Sequence, residues 1–357
     1  MSIAEQFNHR FSDRGGRYEA GYTDDPNGIL ARAREIMQQV IADLPITTTT
    51  QIYADLVASA KVSAVASSAD GNAYIGMHIG TVLVLYDLFL RMMATDRVLP
   101  EIGNVAVENH EQIFGGKLYA TYFDLPQYLE GSWPSPVSEH RKEAAATLTL
   151  MAVENGVYHE FGHIALGHLT KQINGTVLSY VEEEGGVTRL PPMIAQMLEW
   201  QADCWAVRET VKAITYNRGV RPSPSMRQSP KDQLFYRLFS LYCFLSVVAQ
   251  TTLLPEDFES VWHPTPGMRQ LYLIKPLYEA IEEFLSDEDT DEIKQVCMQV
   301  FPNAENAVAT VTTTAVRTEH LEHLSQSAVY DHINRLEEIA RSAISNGDTD
   351  TSALDEA

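Results

Sequence analysis

The chain has 357 residues, of which 45% are hydrophobic and 21% charged, a composition that excludes global disorder and permits a large buried core. Its 26 Lys and Arg stand against 48 Asp and Glu, and the resulting net charge of −22 repels nucleic-acid backbones and anionic membrane surfaces, which excludes nucleic acid as a partner. Cys204, Cys243 and Cys297 are too widely spaced for a disulfide framework or a C-x-x-C metal pair and read as small buried hydrophobes in a reducing cytosol.

The first residues, MSIAEQFNHRFSDRGGRY, are polar and lack the apolar core of a signal peptide, so the expected location is cytoplasmic. Residues 1 to about 25 read as a loosely held arm. Ile29, Ala33, Ile36, Met37, Val40 and Ile41 recur at helical spacing, and Pro45 stops that helix. TTTTQIYADLVASAKVSAVAS reads as a strand followed by a helix. From Asn72 the alternation of Tyr74, Gly76 and His78 predicts a strand, then a turn and a helix. Residues 97–140, rich in Pro and Gly, form an irregular insertion that could wall a substrate groove.

After Pro136 the run SEHRKEAAATLTLMAVENGVYHEFGHIALGHL predicts one long helix, rich in Ala, Leu, Met and Glu. A second helix runs from about Pro192 to a stop near Asn217 and Gly219. Leu238 to Pro255 carries no charge, but Ser240, Ser246, Gln250, Thr251 and Thr252 dilute it, so it reads as a buried helix rather than a membrane span. Another helix starts at Thr265 and Pro266. Beyond Leu285 the text turns acidic and then polar, before a last amphipathic helix around His320 to Ile344 and a disordered tail. Three regions result: an N-terminal arm and helix over 1–45, a main domain over 46–285 carrying the 97–140 insertion, and an acidic linker, helix and tail over 286–357.

Within Tyr158-His159-Glu160-Phe161-Gly162-His163 the histidines are four apart, so on a helix they share a face and can hold one metal. Glu160, turned about 100° from His159, can reach water at that metal without being a ligand and is the candidate general base. Neutral imidazoles suit Zn²⁺, which polarises a carbonyl and lowers the pKa of water to about 7. Glu199 and Asp203 place two carboxylates four apart on an otherwise apolar helix, where burial is costly without a partner or a metal. Glu199 is therefore the candidate third ligand, and Asp203 the acceptor of a hydrogen bond from the far nitrogen of a liganding histidine, His159 in first place. The competing reading makes them solvated acids, with Gln201 and Arg208 marking a wet side. His168, nine residues beyond His159, projects to the opposite side of a continuous helix and reads as structural. A third histidine ten residues after the first, as metzincins require, is absent: Leu169 stands there. His263, in Val-Trp-His-Pro-Thr-Pro, is either a donor to a developing oxyanion or an ordinary loop histidine.

These residues resemble the gluzincin metallopeptidases, and within them the CAAX-prenyl-protease and HtpX-like branch. HEFGHIALGH resembles its helix motif, Glu199-Trp-Gln-Ala-Asp203 its E-x-x-A-D element, and NAYIGMHIGTVLVLYDLF its upstream strand, turn and second strand leading into a helix. His263-Pro264 followed by Arg269 resembles a later His-Pro element near the catalytic centre. The match covers about residues 70–95, 140–210 and 260–275; the 97–140 insertion and the C-terminal third have no counterpart, and the branch's membrane spans are missing. The resemblance implies an α+β, mainly helical zincin-like domain with a small mixed sheet and a long active-site helix. It implies a zinc endopeptidase whose strand at about 73–79 binds the backbone of a peptide or protein substrate. Phage-exclusion proteases that cleave one host protein form a neighbouring group, and a zincin-fold regulatory or interaction module without proteolysis is the alternative.

Overall fold

The computed structural model describes residues 1–19, 25, 28–44, 50–108, 135–170, 172–173, 176–177, 191–248, 266–285, 290–312 and 327–345. The fold is α+β, mostly helical with a small mixed sheet.

The sheet consists of β1 (Ile52–Val57), β2 (Ala64–Ala69) and β3 (Asn72–His78), in the order β1-β3-β2. β1 runs parallel to β3, and β2 pairs antiparallel with it. Asp70 and Gly71 join β2 to β3 with φ of 53° and 77°, the doubly left-handed turn that an Asp-Gly pair supplies at low cost. The helix expected after β1 is thus a second strand: Asp-Gly flanked by small and β-branched residues signals a hairpin. Both edges of β3 are occupied, so the strand expected to bind substrate backbone has no free edge. β2 has no strand on its outer side among the described residues, and it packs along the long histidine-bearing helix.

Helix α1 (Ile3–Arg10) opens on a capping box made by Ser2 and Glu5, and α2 spans Ile29–Asp43. The N-terminal arm is not loose. Phe7 and Phe11 are buried against Val57, Val65 and Tyr74 on one face of the sheet, and Tyr74 donates to Gln6. Helix α3 (Ile79–Met93) follows β3 without a turn. It is buried on nearly every side, so TVLVL carries no amphipathic period to betray a helix, and packing overrides its β-branched residues.

Helix α4 (Glu139–Ala165) is the axis of the molecule, packed by α2, α3, α5 (Pro192–Thr215), α6 (Pro230–Val248) and β2. The described ends of the insertion are tied to its first turn, where Glu108 accepts from the backbone N–H groups of Val137 and Ser138, both at 3.0 Å. Arg141 is fully buried and donates to the carbonyls of Met93, Thr95, Val98, Leu99 and Ile102, strapping that loop to α4. Deeper in the core, Glu154 meets Arg237 of α6 at 2.5 Å, and Tyr158 and the Val220 N–H also donate to it. Gly219, with φ of 70°, lies so close to Glu154 that any Cβ would overlap the carboxylate.

Helix α7 (Pro266–Phe284) begins where its proline predicts. The segment expected as an acidic linker holds α8 (Thr290–Val311), whose Ile293, Cys297, Val300 and Phe301 enter the main core. Helix α9 (Ser327–Ser345) packs Leu336 and Ala340 against Met197, Leu198 and Tyr272. Among the described residues no helix is long and apolar enough to cross a membrane. The three cysteines are free.

Candidate metal centre

Near the C-terminal end of α4, His159 and His163 project from consecutive turns toward α5, which presents Glu199 and Asp203. The helices can approach because Gly162 faces Ala202; a Cβ on Gly162 would stand 3.1 Å from the Ala202 backbone. Five residues of this region, His159, His163, Glu160, Glu199 and Asp203, are all buried.

Three donors converge. His159 Nε2 and His163 Nε2 are 3.2 Å apart, and each lies 3.4 Å from an oxygen of Glu199, Oε2 and Oε1 respectively. One ligand atom from each of the three residues lies within 4.8 Å of the others, close enough for all three to reach a single ion. Among the described residues this is the group with metal-ligand spacing.

One assignment of neutral tautomers is consistent with the surrounding hydrogen bonds. Asp203 Oδ1 lies 2.8 Å from His159 Nδ1, so Nδ1 donates and the Nε2 lone pair faces the triangle. On the other side His168 Nε2 lies 3.1 Å from Gln201 Oε1, and its Nδ1 lies 3.0 Å from His163 Nδ1. With Gln201 presenting its amide oxygen, His168 Nε2 donates to it, His163 Nδ1 donates to His168, and the His163 Nε2 lone pair also faces inward. Two lone pairs and a carboxylate then point at one another across 3.2–3.4 Å, an arrangement that a cation relieves.

The charge balance agrees. Among the described residues a buried guanidinium, Arg269 of α7, grips Asp203 with Nε at 2.7 Å and Nη2 at 2.5 Å and lies 3.8 Å from Glu199. Counting Glu199 and Asp203 against Arg269, with neutral imidazoles, one negative charge is in excess, which favours a cation. Burial opposes ionisation of Glu199, yet His159 and His163 hold its carboxyl well below the usual range. Burial likewise opposes a charge on His159, but Asp203 and then Glu199 lift it to about 10, so without a metal this imidazole holds a proton that a bound cation would displace. Asp203 is lowered, Arg269 and then His159 outweighing the effect of burial. The rise at His159 reports the negative charge around it, and the lowered carboxyls keep Glu199 and Asp203 ionised. The donor set, two imidazoles and a carboxylate, fits Zn²⁺.

The structure therefore brings together His159, Glu160, His163, Glu199 and Asp203. Sequence reasoning misplaced His168: α4 stops at Ala165, and Gly167, with φ of 69°, turns the chain back so that His168 supports His163 instead of pointing away. Gly167 is the signal that rotation could not be projected past the helix end. Gln201, read as the mark of a wet side, is the acceptor that orients His168. Arg269 entered only through the resemblance, and its clamp on Asp203 depends on a helix 66 residues further along the chain. His263 lies outside the described residues. The chain matches no family model, none of the curated proteins compared with it and no solved structure.

Proposed function

We propose that this chain is a zinc-dependent metalloendopeptidase acting on a peptide or protein substrate in the cytoplasm, in a zincin-like fold. The observation that carries the proposal is the buried triangle of His159, His163 and Glu199 with Glu160 next to the first histidine. When bound, the zinc supplies Lewis acidity, polarising the scissile carbonyl and making water acidic enough to attack near neutral pH. Glu160 takes a proton from the attacking water and delivers it to the leaving amine nitrogen as the C–N bond breaks. Asp203 holds the tautomer and orientation of His159, and Arg269 holds Asp203. His263 is assigned to the developing oxyanion. The outer edge of β2, unpaired among the described residues, packs along α4, touches the turn carrying His168 and replaces β3 as the place where an extended substrate adds a strand.

The alternative, a regulatory module built round a structural metal, calls for four protein ligands, whereas three donors converge among the described residues. Such a module also has no use for Glu160. Glu160→Gln should keep its zinc and lose proteolysis by about a hundredfold or more. Unchanged peptide cleavage by that variant would eliminate the mechanism.

A further inference from the structure

We infer that a second ligand site, separate from the metal centre, lies where the loop strapped by Arg141 meets α6 and α8, and that it takes a small aromatic anion. The cavity there encloses about 490 Å³, within the range of pockets that hold small molecules. None of its lining residues belongs to the metal centre. Arg141, which holds the loop, precedes His159 by 18 positions on α4, which is about 27 Å along a helix.

One wall is the main chain at 97–101. Arg141 fixes it by donating to the Val98 and Leu99 carbonyls, and Leu99 is held at φ 46°, a conformation that a bulky residue adopts only under constraint. The pocket is thus preformed rather than closed by a loose loop. Its floor is aromatic. Phe235 and Phe239 stack with centroids 6.1 Å apart and planes 26° from parallel, and Tyr236 lies beside them. Phe235 is only half-buried, leaving part of this flat surface open to a planar ring.

The mouth carries Arg97, Arg227 and Lys231 in a chain whose net charge is −22. Lys231 is paired with Glu292. Arg227 has its nearest carboxylate, Asp232, at 3.9 Å, and that carboxylate already accepts from Ser229 at 2.5 Å. The Arg97 side chain makes no ion pair or hydrogen bond with any described residue. Among the described residues, two exposed guanidiniums with loosely held or absent counterions line a pocket that also holds the stacked aromatic pair. That combination suits a ring bearing a carboxylate, sulfonate or phosphate, which guanidinium forks bind bidentately. Glu101 and Asp232, the two acids of the lining, oppose an anion, but Arg97, Arg227 and Lys231 outnumber them.

Calorimetric titration of naphthalene-1-sulfonate into the full chain should show saturable one-to-one binding, with the uncharged naphthalene-1-methanol at least about tenfold weaker. Combining Arg97→Gln with Arg227→Gln should weaken the sulfonate about tenfold and leave the alcohol unchanged; both side chains are exposed, so folding should survive, as circular dichroism would show. In a Phe235→Trp variant the new indole should be quenched over the same concentration range. No saturable binding by the native chain, or equal sulfonate binding with and without the two arginines, would overturn the assignment.

Discussion

Glu154 and His159 sit on the same helix, little more than a turn apart, and both are buried, yet their surroundings are built to opposite ends. Glu154 faces a guanidinium at 2.5 Å and takes further hydrogen bonds from Tyr158 and Val220, so its charge is answered from within the chain. His159 faces His163 and Glu199, groups of metal-ligand type, and among the described residues the guanidinium of Arg269 is committed to Asp203. A charge cluster that closes on itself fixes helices in place. One that leaves converging lone pairs needs something from outside. The contrast separates a structural ion pair from a ligand site more sharply than burial does, since both are equally buried.

The comparison breaks most visibly at Arg237. Arg237→Met leaves the Glu154 carboxylate buried without its cation and should cost about 3–5 kcal/mol, read from chemical denaturation. Replacing Glu154 and Arg237 together by Met should recover most of that loss, because the desolvation of both charges is removed along with their attraction. The zinc content of the molecules that remain folded should not change in either variant. A drop in zinc content would merge the two clusters into one.

A buried polar group of a third kind is His78, 1% exposed, with neither ring nitrogen hydrogen-bonded. Burial first, then the charges of Arg14 and Lys61, depress it from 6.5 to about 4. The unfolded chain therefore binds the proton at higher pH than the folded one. The stability that His78 contributes is fully present above pH 6.5 and is lost as pH falls toward 4, by about 3 kcal/mol at most. His78→Phe should flatten the denaturation midpoint across that window; an equal fall in variant and native protein would remove His78 from the acid response.

Smaller effects are expected from the groups that orient the ligands. Asp203→Asn and Arg269→Gln should each weaken zinc by about 10- to 100-fold, measured by competition with a chromophoric chelator. Gln201→Leu, one step further from the ligands, should cost less than either. An Arg269→Gln variant with native zinc affinity would make the clamp on Asp203 a packing feature only.

The ligand helix was legible because its information is local: His159, Glu160 and His163 share one turn, and their spacing fixes their relative direction. Glu199 and Asp203 were legible because two carboxylates in an apolar helix demand a reason. His168 and Gln201 were not, since their roles depend on how Gly167 ends α4 and how two helices cross at Gly162 and Ala202. The sheet was misread for a similar reason. Small residues before Asp70-Gly71 carry weak periodicity, and which strand lies centrally is a matter of topology. α8 was hidden behind acidic and threonine-rich text whose apolar residues recur at helical spacing but are interrupted by Pro302.

The central claim is that the cluster on α4 and α5 is completed by zinc. Elemental analysis of the chain purified without chelators measures this directly. The account predicts about one equivalent of zinc, lost in His163→Ala and retained in Glu160→Gln. Less than about half an equivalent in the native protein, with no uptake on adding zinc, would contradict it.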